Sequence, residues 1–577
     1  MNEMKPGFRH MMLLVVLFAG GLGCMIHGQS GYDSALTEMA QRRPENLVVF
    51  TDRTLYAVNE TIRFSALLQS GNEPYQGLGS KVLYVELVNS TGTAVAKGKY
   101  FMHENRSGGH LSIPSTLLSG LYYLRSYTRW MRNFGSRDFS YIPIRVVNPY
   151  SSDVVQDNPA TGKDALLAVP KSKGIVSFSL DGSSYHAGNL IDLKVFLEEG
   201  SNIHVEHGCL SVVPSGSIDT IGFRYGVDSK PGNRVPFQFN FLPEIHGTSI
   251  SGIVSETYDQ EPASDTRIHF SILGEDAAYF VTRSDTEGRF VINTPLRTGN
   301  MEMFVVPEYQ PGKPVEVRID HDFTSEPLPF RPGLFQLSQE EQVLASRMSL
   351  HMQLQGAFLA DSGISHAILP KPLESLPFYG TPEISVKMDD FVNLPNLEEV
   401  IENLIPKTFV VRRGGGAHLM IDSENPMISM FPPLILIDHI PVFDMEVIMA
   451  IPPSKLDHID VIPEVYVLGE VKYGGIISFT SLEGDLASIK LPEGSYFFDY
   501  LAYQPSLVPQ AARYDGPVKI PDARNTLFWM DQLELREDSS MKVSFQAASV
   551  PGTYLILFRG VSSEGDIVYG MDHFEVE

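Results

Sequence analysis

The densest run of chemistry-bearing side chains is His204-Val205-Glu206-His207-Gly208-Cys209. It holds two imidazoles, a carboxylate and a thiol, the donor types of a zinc or other transition-metal site. Successive side chains of a strand point to opposite faces, so His204 and Glu206 share one face and His207 and Cys209 the other. Four donors then fail to converge without a bulge, and no metal is expected. Cys209 could serve as a nucleophile, but a lone cysteine after an extended run is expected to be a buried small apolar group. Asp389-Asp390 and Glu398-Glu399 have the composition of a glycosidase acid–base pair. In a chain with 69 acidic against 44 basic residues they are expected to be solvated surface. Asp285 and Glu287 could coordinate calcium on the same generic grounds.

Gly414-Gly415-Gly416 lacks the lysine of a phosphate loop and suits a hairpin turn. Neither a His-Glu-x-x-His helix nor a Gly-x-Ser-x-Gly elbow occurs. Trp130 with Arg125, Arg129 and Arg132 is the one local basic-aromatic patch. Trp and Arg are typical of binding hot spots, so Trp130, Arg129 and Arg132 are the candidate partner-binding residues. The alternative is a loop that closes a sandwich with stacked arginines. No catalytic residue, metal or cofactor is expected, and the chain reads as a non-enzyme.

The elements that must position these groups come from 577 residues, enough for about three to five domains. Hydrophobic residues make up 43%, so a packed core can offset the ordering entropy of the chain. The net charge of −25 argues against nucleic acid as a partner, because phosphate binding needs excess Lys and Arg. Two cysteines exclude a disulfide scaffold.

Lys5 and Arg9 precede an apolar run at 11–19, followed by Gly20, Gly21, Gly23 and Gly28, the three parts of a secretory signal peptide over 1–28. The run is far shorter than the roughly 20 residues needed to span a bilayer. Cleavage after Gly28 would leave Gln29 first. Alternatively Gly21-Leu22-Gly23-Cys24 resembles a bacterial lipobox, with Cys24 acylated, so membrane association would be at most through a lipid anchor. Either way the expected location is the cell envelope, periplasmic or attached to the outer membrane.

From Leu47 onward short β-like runs alternate with turn residues, at 47–50, 62–68, 81–88, 94–101, 122–127 and 141–147. This cadence marks an antiparallel sandwich of about 100 residues. There is an internal echo: residues 56–64 align with 185–193 at an offset of 129, each a tyrosine, a tight turn and an alternating strand. A second echo pairs Ser119-Gly120-Leu121-Tyr122-Tyr123 with Pro551-Gly552-Thr553-Tyr554-Leu555. Tandem sandwiches are expected. Further on, 337–350, continuing to Phe358, has the cap and spacing of a connector helix. Residues 397–405 read as a short amphipathic helix stopped by Pro406.

Thr51-Asp52-Arg53-Thr54-Leu55-Tyr56, Tyr84-Val85-Glu86-Leu87 and 119–128 resemble the second domain of α-macroglobulins. The tail 129–135 resembles the version found in Bacteroidota envelope proteins. Asn59 stands where that family usually has Gly. The Cys-Gly-Glu-Gln thioester sequence of protease-trapping members is absent. Ile250-Ser251-Gly252-Ile253-Val254 and 284–290 resemble the carboxypeptidase-regulatory-like sandwich. The order of elements at 380–490 is similar to the plug domain of TonB-dependent receptors, with Asp438-His439 where that family has Asp-Gly. A barrel of about 22 strands needs over about 220 residues, more than follow Lys490.

The expected fold class is therefore mainly β: tandem immunoglobulin-like or macroglobulin-like sandwiches plus a small α+β plug-like domain. The expected boundaries are 45–148, 165–244 and 245–320 for three sandwiches, 337–358 for the connector helix, 380–490 for the plug-like domain and 515–577 for a last sandwich. These resemblances imply an adaptor or binding component tied to outer-membrane transport, whose partner is an outer-membrane or periplasmic protein such as a TonB-dependent transporter. A macroglobulin-like protease-binding protein, cleavable within 151–173, is the alternative, and an envelope hydrolase the third reading.

Overall fold

The computed structural model describes residues 45–69, 79–155, 172–219, 239–274, 277–294, 296–308, 313–361, 377–392, 394–414, 416–469, 471–505 and 522–577. The leader at 1–28 with Cys24, and most of 151–173, lie outside them. The fold is mainly β.

Sandwich A comprises β1 (Asn46–Thr51), β2 (Leu55–Ala57), β3 (Thr61–Gln69), β4 (Val82–Val88), β5 (Ala94–Phe101), β6 (Arg106–Ser112), β7 (Gly120–Tyr127) and β8 (Ser140–Val147). One sheet runs β1-β3-β6 and the other β2-β8-β7-β4-β5, with β2 and β8 parallel. Asn59 turns β2 into β3 at φ 64°, a left-handed conformation that Asn tolerates. β4 and β7 are buried along their whole length. Leu83, Val85 and Leu87 alternate with Tyr84 and Glu86, and the second set lies under residues 321–335, which cross the sheet with Phe323 on Tyr84 and Phe330 on Tyr123. A strand apolar on both faces is one covered on both faces.

Next come β9 (Ser172–Gly174), β10 (Val176–Leu180), β11 (Ser184–Tyr185), β12 (Leu190–Leu197) and β13 (Val205–Pro214). Sandwich C follows with β14 (Ser249–Glu256), β15 (Arg267–Ile272), β16 (Ala278–Arg283), β17 (Arg289–Asn293), β18 (Asn300–Pro307) and β19 (Val315–Ile319). Helix α1 (Gln339–Asp361) starts with a capping box: Ser338 Oγ accepts from the Glu341 N–H, and Glu341 Oε2 accepts from the Ser338 N–H.

Domain D contains β20 (Ile384–Lys387), α2 (Leu397–Leu404), β21 (Thr408–Arg413), β22 (Gly416–Ile421), β23 (Leu434–Ile437), β24 (Ile440–Pro441), α3 (Met445–Met449), β25 (Leu456–Ile462), β26 (Tyr466–Leu468), β27 (Val471–Tyr473) and β28 (Ile476–Ser481). Its main sheet is β20-β25-β28-β23-β24, with β21-β22 and β26-β27 as separate hairpins. Asp438 and His439 take φ 47° and 67°, the type I′ geometry that a two-residue hairpin requires. The Asp438 carboxylate holds that turn by accepting from the Ser481 N–H, the Ser481 hydroxyl and the Leu486 N–H. The chain closes with β29 (Tyr496–Leu501), β30 (Phe528–Leu535), β31 (Ser540–Gln546), β32 (Gly552–Ser562) and β33 (Ile567–Val576).

The pairing of these last strands corrects the expected boundaries. The sandwiches placed at 165–244 and 515–577 are one, sandwich B, with sheets β10-β12-β31 and β11-β33-β32-β13-β30. Likewise β29 completes the sheet β16-β15-β18-β29 of sandwich C, so C does not end at 320. D is thus inserted in C, and C in B. Each half of B carries the local cadence of strands, but a strand's ladder partner is fixed by tertiary packing, not by nearness in sequence.

B repeats A strand for strand. Its sheets match those of A in order, including the parallel pair β11–β33, and the whole insertion falls between its fourth and fifth main strands. Both sequence echoes are physical. Tyr56 Oη lies 2.7 Å from Asp52 Oδ1 and accepts from the Arg53 N–H at 3.0 Å, while Tyr185 Oη lies 2.6 Å from Asp181 Oδ1 and accepts from the Gly182 N–H at 2.8 Å. Tyr122 Oη donates to the Leu118 carbonyl at 2.9 Å, and Tyr554 Oη to the Val550 carbonyl at 3.1 Å. The two copies differ in burial: Asp52 and Arg53 are buried, whereas Asp181 is exposed.

Removing the hydroxyl of a buried corner leaves its partners unsatisfied, at about 1–3 kcal/mol. Tyr56→Phe is therefore expected to cost more stability than Tyr185→Phe, whose partners can turn to water. Urea denaturation of the two variants measures the difference.

Candidate functional site: the buried junctions between domains

The chemistry-bearing groups collect where the domains meet. The turn of A between β1 and β3 carries Asp52, Arg53 and Glu60. Arg53 is buried, with Nη2 3.0 Å from Glu60 Oε1 and Nε donating to Thr526 Oγ1 at 2.9 Å. Burial disfavours its charge, but Glu60 and Asp52 overcome this and hold the guanidinium above its ordinary pKa. Thr526 Oγ1 donates in turn to Asp52 Oδ2 at 2.6 Å. Asn525 Nδ2 donates to Glu60 Oε1 at 2.8 Å and to the Met348 carbonyl of α1 at 3.0 Å. On the other side, the Ser217 carbonyl accepts from the Thr54 and Leu55 N–H groups. Residues 217 and 525–526 are the two roots of the insertion in B, and both grip one turn of A.

The basic-aromatic patch forms a second junction. Trp130 and Arg129 are buried and Arg132 half-buried. Trp130 stacks on Phe239 at 5.1 Å with 3° between the rings, and Arg132 lies 3.9 Å from the Phe241 ring. Asn133 Oδ1 accepts from the N–H groups of Asn240 and Phe241. Arg129 Nη1 donates to the Ser249 carbonyl at 2.8 Å, and Arg132 Nη1 to the Asp322 carbonyl at 2.8 Å. The partner expected for Trp130, Arg129 and Arg132 is therefore this chain itself: they hold the start of sandwich C against A. The sequence marks the patch as an interface but does not say whose.

Beside it Glu244 is buried, accepting from Tyr84 Oη at 2.9 Å and the Ser249 N–H at 2.8 Å, with Arg129 at 3.9 Å. Burial pushes Glu244 up in pKa against the pull of Arg129 and Lys99. Lys99, 2.5 Å from Asp322 and 3.9 Å from the Tyr500 ring, is pushed down by burial against the same kind of pull. Arg125 pairs with Glu86 at 2.9 Å beneath residues 324–326, donating to the carbonyls of Glu326 and Thr324.

Of the run at 204–209, residues 205–209 open β13, with a bulge between Val205 and Gly208, and His204 precedes the strand. His207 and Cys209 face A, where His207 Nε2 is 2.9 Å from Ser65 Oγ. Burial, helped by Arg106, lowers His207 to about 3. Burial raises the Cys209 thiol to about 12, despite Arg559 nearby, which removes its thiolate at neutral pH. Among the described residues no three His, Cys, Asp or Glu side chains are placed to hold a metal ion. Asp285 accepts from the N–H groups of Glu287 and Arg289 and pairs with the Arg289 side chain at 3.1 Å, so it builds its hairpin. Glu398 pairs with Arg412 at 2.6 Å, and the Glu399 N–H is capped by Asn396. A shallow cleft lies between α1 and B, beside Arg347, His351 and Tyr554. Arg53, Lys99 and Glu244 were not singled out from the sequence; the available signal was a charge set between apolar residues of a strand, as Glu86 is between Val85 and Leu87.

No family model matches this chain, and no curated protein matches it. Among solved structures, Salmonella alpha-2-macroglobulin reacted with methylamine is 9% identical over 93% of this chain and 40% of that one, with a TM-score of 0.22. Native E. coli alpha-2-macroglobulin is 8% identical over 93% and 40%, with a TM-score of 0.22. The E. coli adhesin FdeC is 8% identical over 43% and 63%, with a TM-score of 0.13. The chain spans about 40% of the length of the macroglobulins it matches. TM-scores this low carry neither the arrangement of those proteins nor their activity to this one.

Removing one partner of a buried charge pair costs about 3–5 kcal/mol. Arg129→Ala is expected to lose stability on that scale, read by urea denaturation, because Glu244 loses the cation paired with it, keeping only the pull of Lys99, and the Ser249 carbonyl loses its donor. His207 binds protons in the unfolded chain near pH 6.5 but in the folded one only near 3. Its stability contribution is complete above pH 6.5 and is lost as pH falls, by about 2 kcal/mol at pH 5. Denaturation at pH 7 and pH 5 should show a loss smaller by about that amount in His207→Gln than in the parent.

Proposed function

We propose that this protein is a non-enzymatic binding component of the bacterial envelope, in which sandwiches A, B and C form a body that presents domain D to a partner protein. The observation that carries the reading is the nesting of the chain. D is the innermost insertion, and the buried ionic groups of the body serve as structural partners of one another. D also keeps large apolar side chains in solvent: Val392 is 82% exposed and Met430 71%, with Phe391, Phe409 and Met427 partly so. The leader at 1–28 supports export, and the plug-like order of 380–490 supports an outer-membrane transporter, or its periplasmic energiser, as the partner class.

Cross-linking of the full chain in outer-membrane fractions tests the reading. A barrel protein or TonB-system component is expected with the parent, and Val392→Asp with Met430→Asp should lower its recovery at least fivefold without changing the thermal midpoint. Recovery of no such partner overturns the link to transport.

A further inference from the structure

Domain D docks on the outer face of the four-stranded sheet of C, and the contact is lined with histidine. Along β15, Ile268, Phe270 and Ile272 enter the core of C, so His269 and Ser271 face the other way, into D. Ser271 Oγ donates to the His439 carbonyl at 2.8 Å, and the His269 ring lies 4.8 Å from that of Phe443. Phe304 and Val306 of β18 pack on Ile440, and Tyr279 of β16 on Tyr473 and Leu434. His269 is 1% exposed, with Nδ1 2.6 Å from Tyr279 Oη, which lies 3.5 Å from Tyr473 Oη.

The charged and titratable groups facing His269 are Arg267 on its own strand, Tyr279 on β16 and Glu308 just after β18, whose Oε2 is 3.6 Å from Nε2. His439, on the D side, faces Asp438, Asp460 and His458. Asp460 is buried, accepting from Tyr379 Oη at 3.1 Å, with His458 Nε2 at 3.7 Å. His269 Nε2, His439 Nδ1 and Asp460 Oδ1 are buried without a hydrogen bond among the described residues. Burial lowers both imidazoles, outweighing Glu308 at His269 and Asp438 and Asp460 at His439.

We propose that the contact between C and D is an acid-released latch, in which proton uptake by His269 frees domain D while the three sandwiches stay folded. The sign follows from linkage. At His269 the docked form binds fewer protons than the released form, so docking is complete above the ordinary imidazole value of 6.5 and weakens as pH falls below it. The latch rests on D being the presented module, but its readout needs no partner, so either proposal can fail alone.

Hydroxyl-radical footprinting of the full chain at pH 7.5 and pH 5.0 tests it. Labelling of Tyr279 and Phe304 is expected to rise at least tenfold at pH 5.0, while Tyr84 in A and Phe558 in B stay protected. His269→Gln should keep the closed pattern at both pH values. Unchanged labelling in the parent, an equal rise in the variant, or a joint rise at Tyr84 and Phe558 overturns the latch. Should the variant be open already at pH 7.5, the parent's titration decides. A midpoint between about 5 and 6.5 supports the histidine, and one below about 4.5, in the carboxylate range, overturns it.

Discussion

A guanidinium taken out of water must find anions and carbonyls to replace its hydration, and sandwich A buries three of them. Arg53 reaches Thr526, at the return of the chain into B. Arg125 reaches the carbonyls of Thr324 and Glu326 in the segment that covers its sheet, and Arg129 reaches Ser249 at the start of C. In each case an acidic neighbour supplies part of the compensation, Glu60, Glu86 or Glu244, and a distant part of the chain supplies the rest. A is therefore completed by its neighbours. Buried ion pairs add little net stability over apolar packing, but an incomplete one is costly, so such pairs reward one arrangement of the domains and penalise others.

The nesting of the insertions makes this arrangement tractable. Both roots of the segment inserted in B meet at the same turn of A, through Ser217 on one side and Asn525 and Thr526 on the other. A long excursion of chain then starts and ends at a fixed point, as a surface insertion must if the sandwich around it is to close. The repeat explains the place. In A the fourth and fifth strands are joined by the short turn around Gly92, and in B the equivalent turn has been replaced by C, α1 and D.

Much of the fold was legible because its signals are local. The tyrosine corners at Tyr56 and Tyr185 show as echoes because a short turn with a fixed hydrogen-bond set requires the same residues each time. The helix at 339–361 shows through Ser338 and Glu341, and the hairpin of D through Arg413 and Gly416. The candidate site was half legible. Trp130, Arg129 and Arg132 stood out as a basic-aromatic patch, read either as a binding face or as a loop that closes a sandwich. Their acceptors, at 239–251 and 322, carry no signature, since a backbone carbonyl looks the same in every residue.

By itself the sequence determined that the fold is mainly strand, that Asn59 sits in a left-handed turn, that two sandwiches share a pattern, and which side chains hold latent chemistry. Those are properties of periodicity and of single residues. Only the tertiary structure decided that 172–214 and 528–576 are halves of one sandwich, that β29 belongs to C, and that the arginines near Trp130 are spent within the chain. The physical reason is common to all three. Ladder pairing and charge compensation act across space at hydrogen-bond range, between groups separated by up to hundreds of residues, and nothing in either partner's own neighbourhood encodes the address of the other.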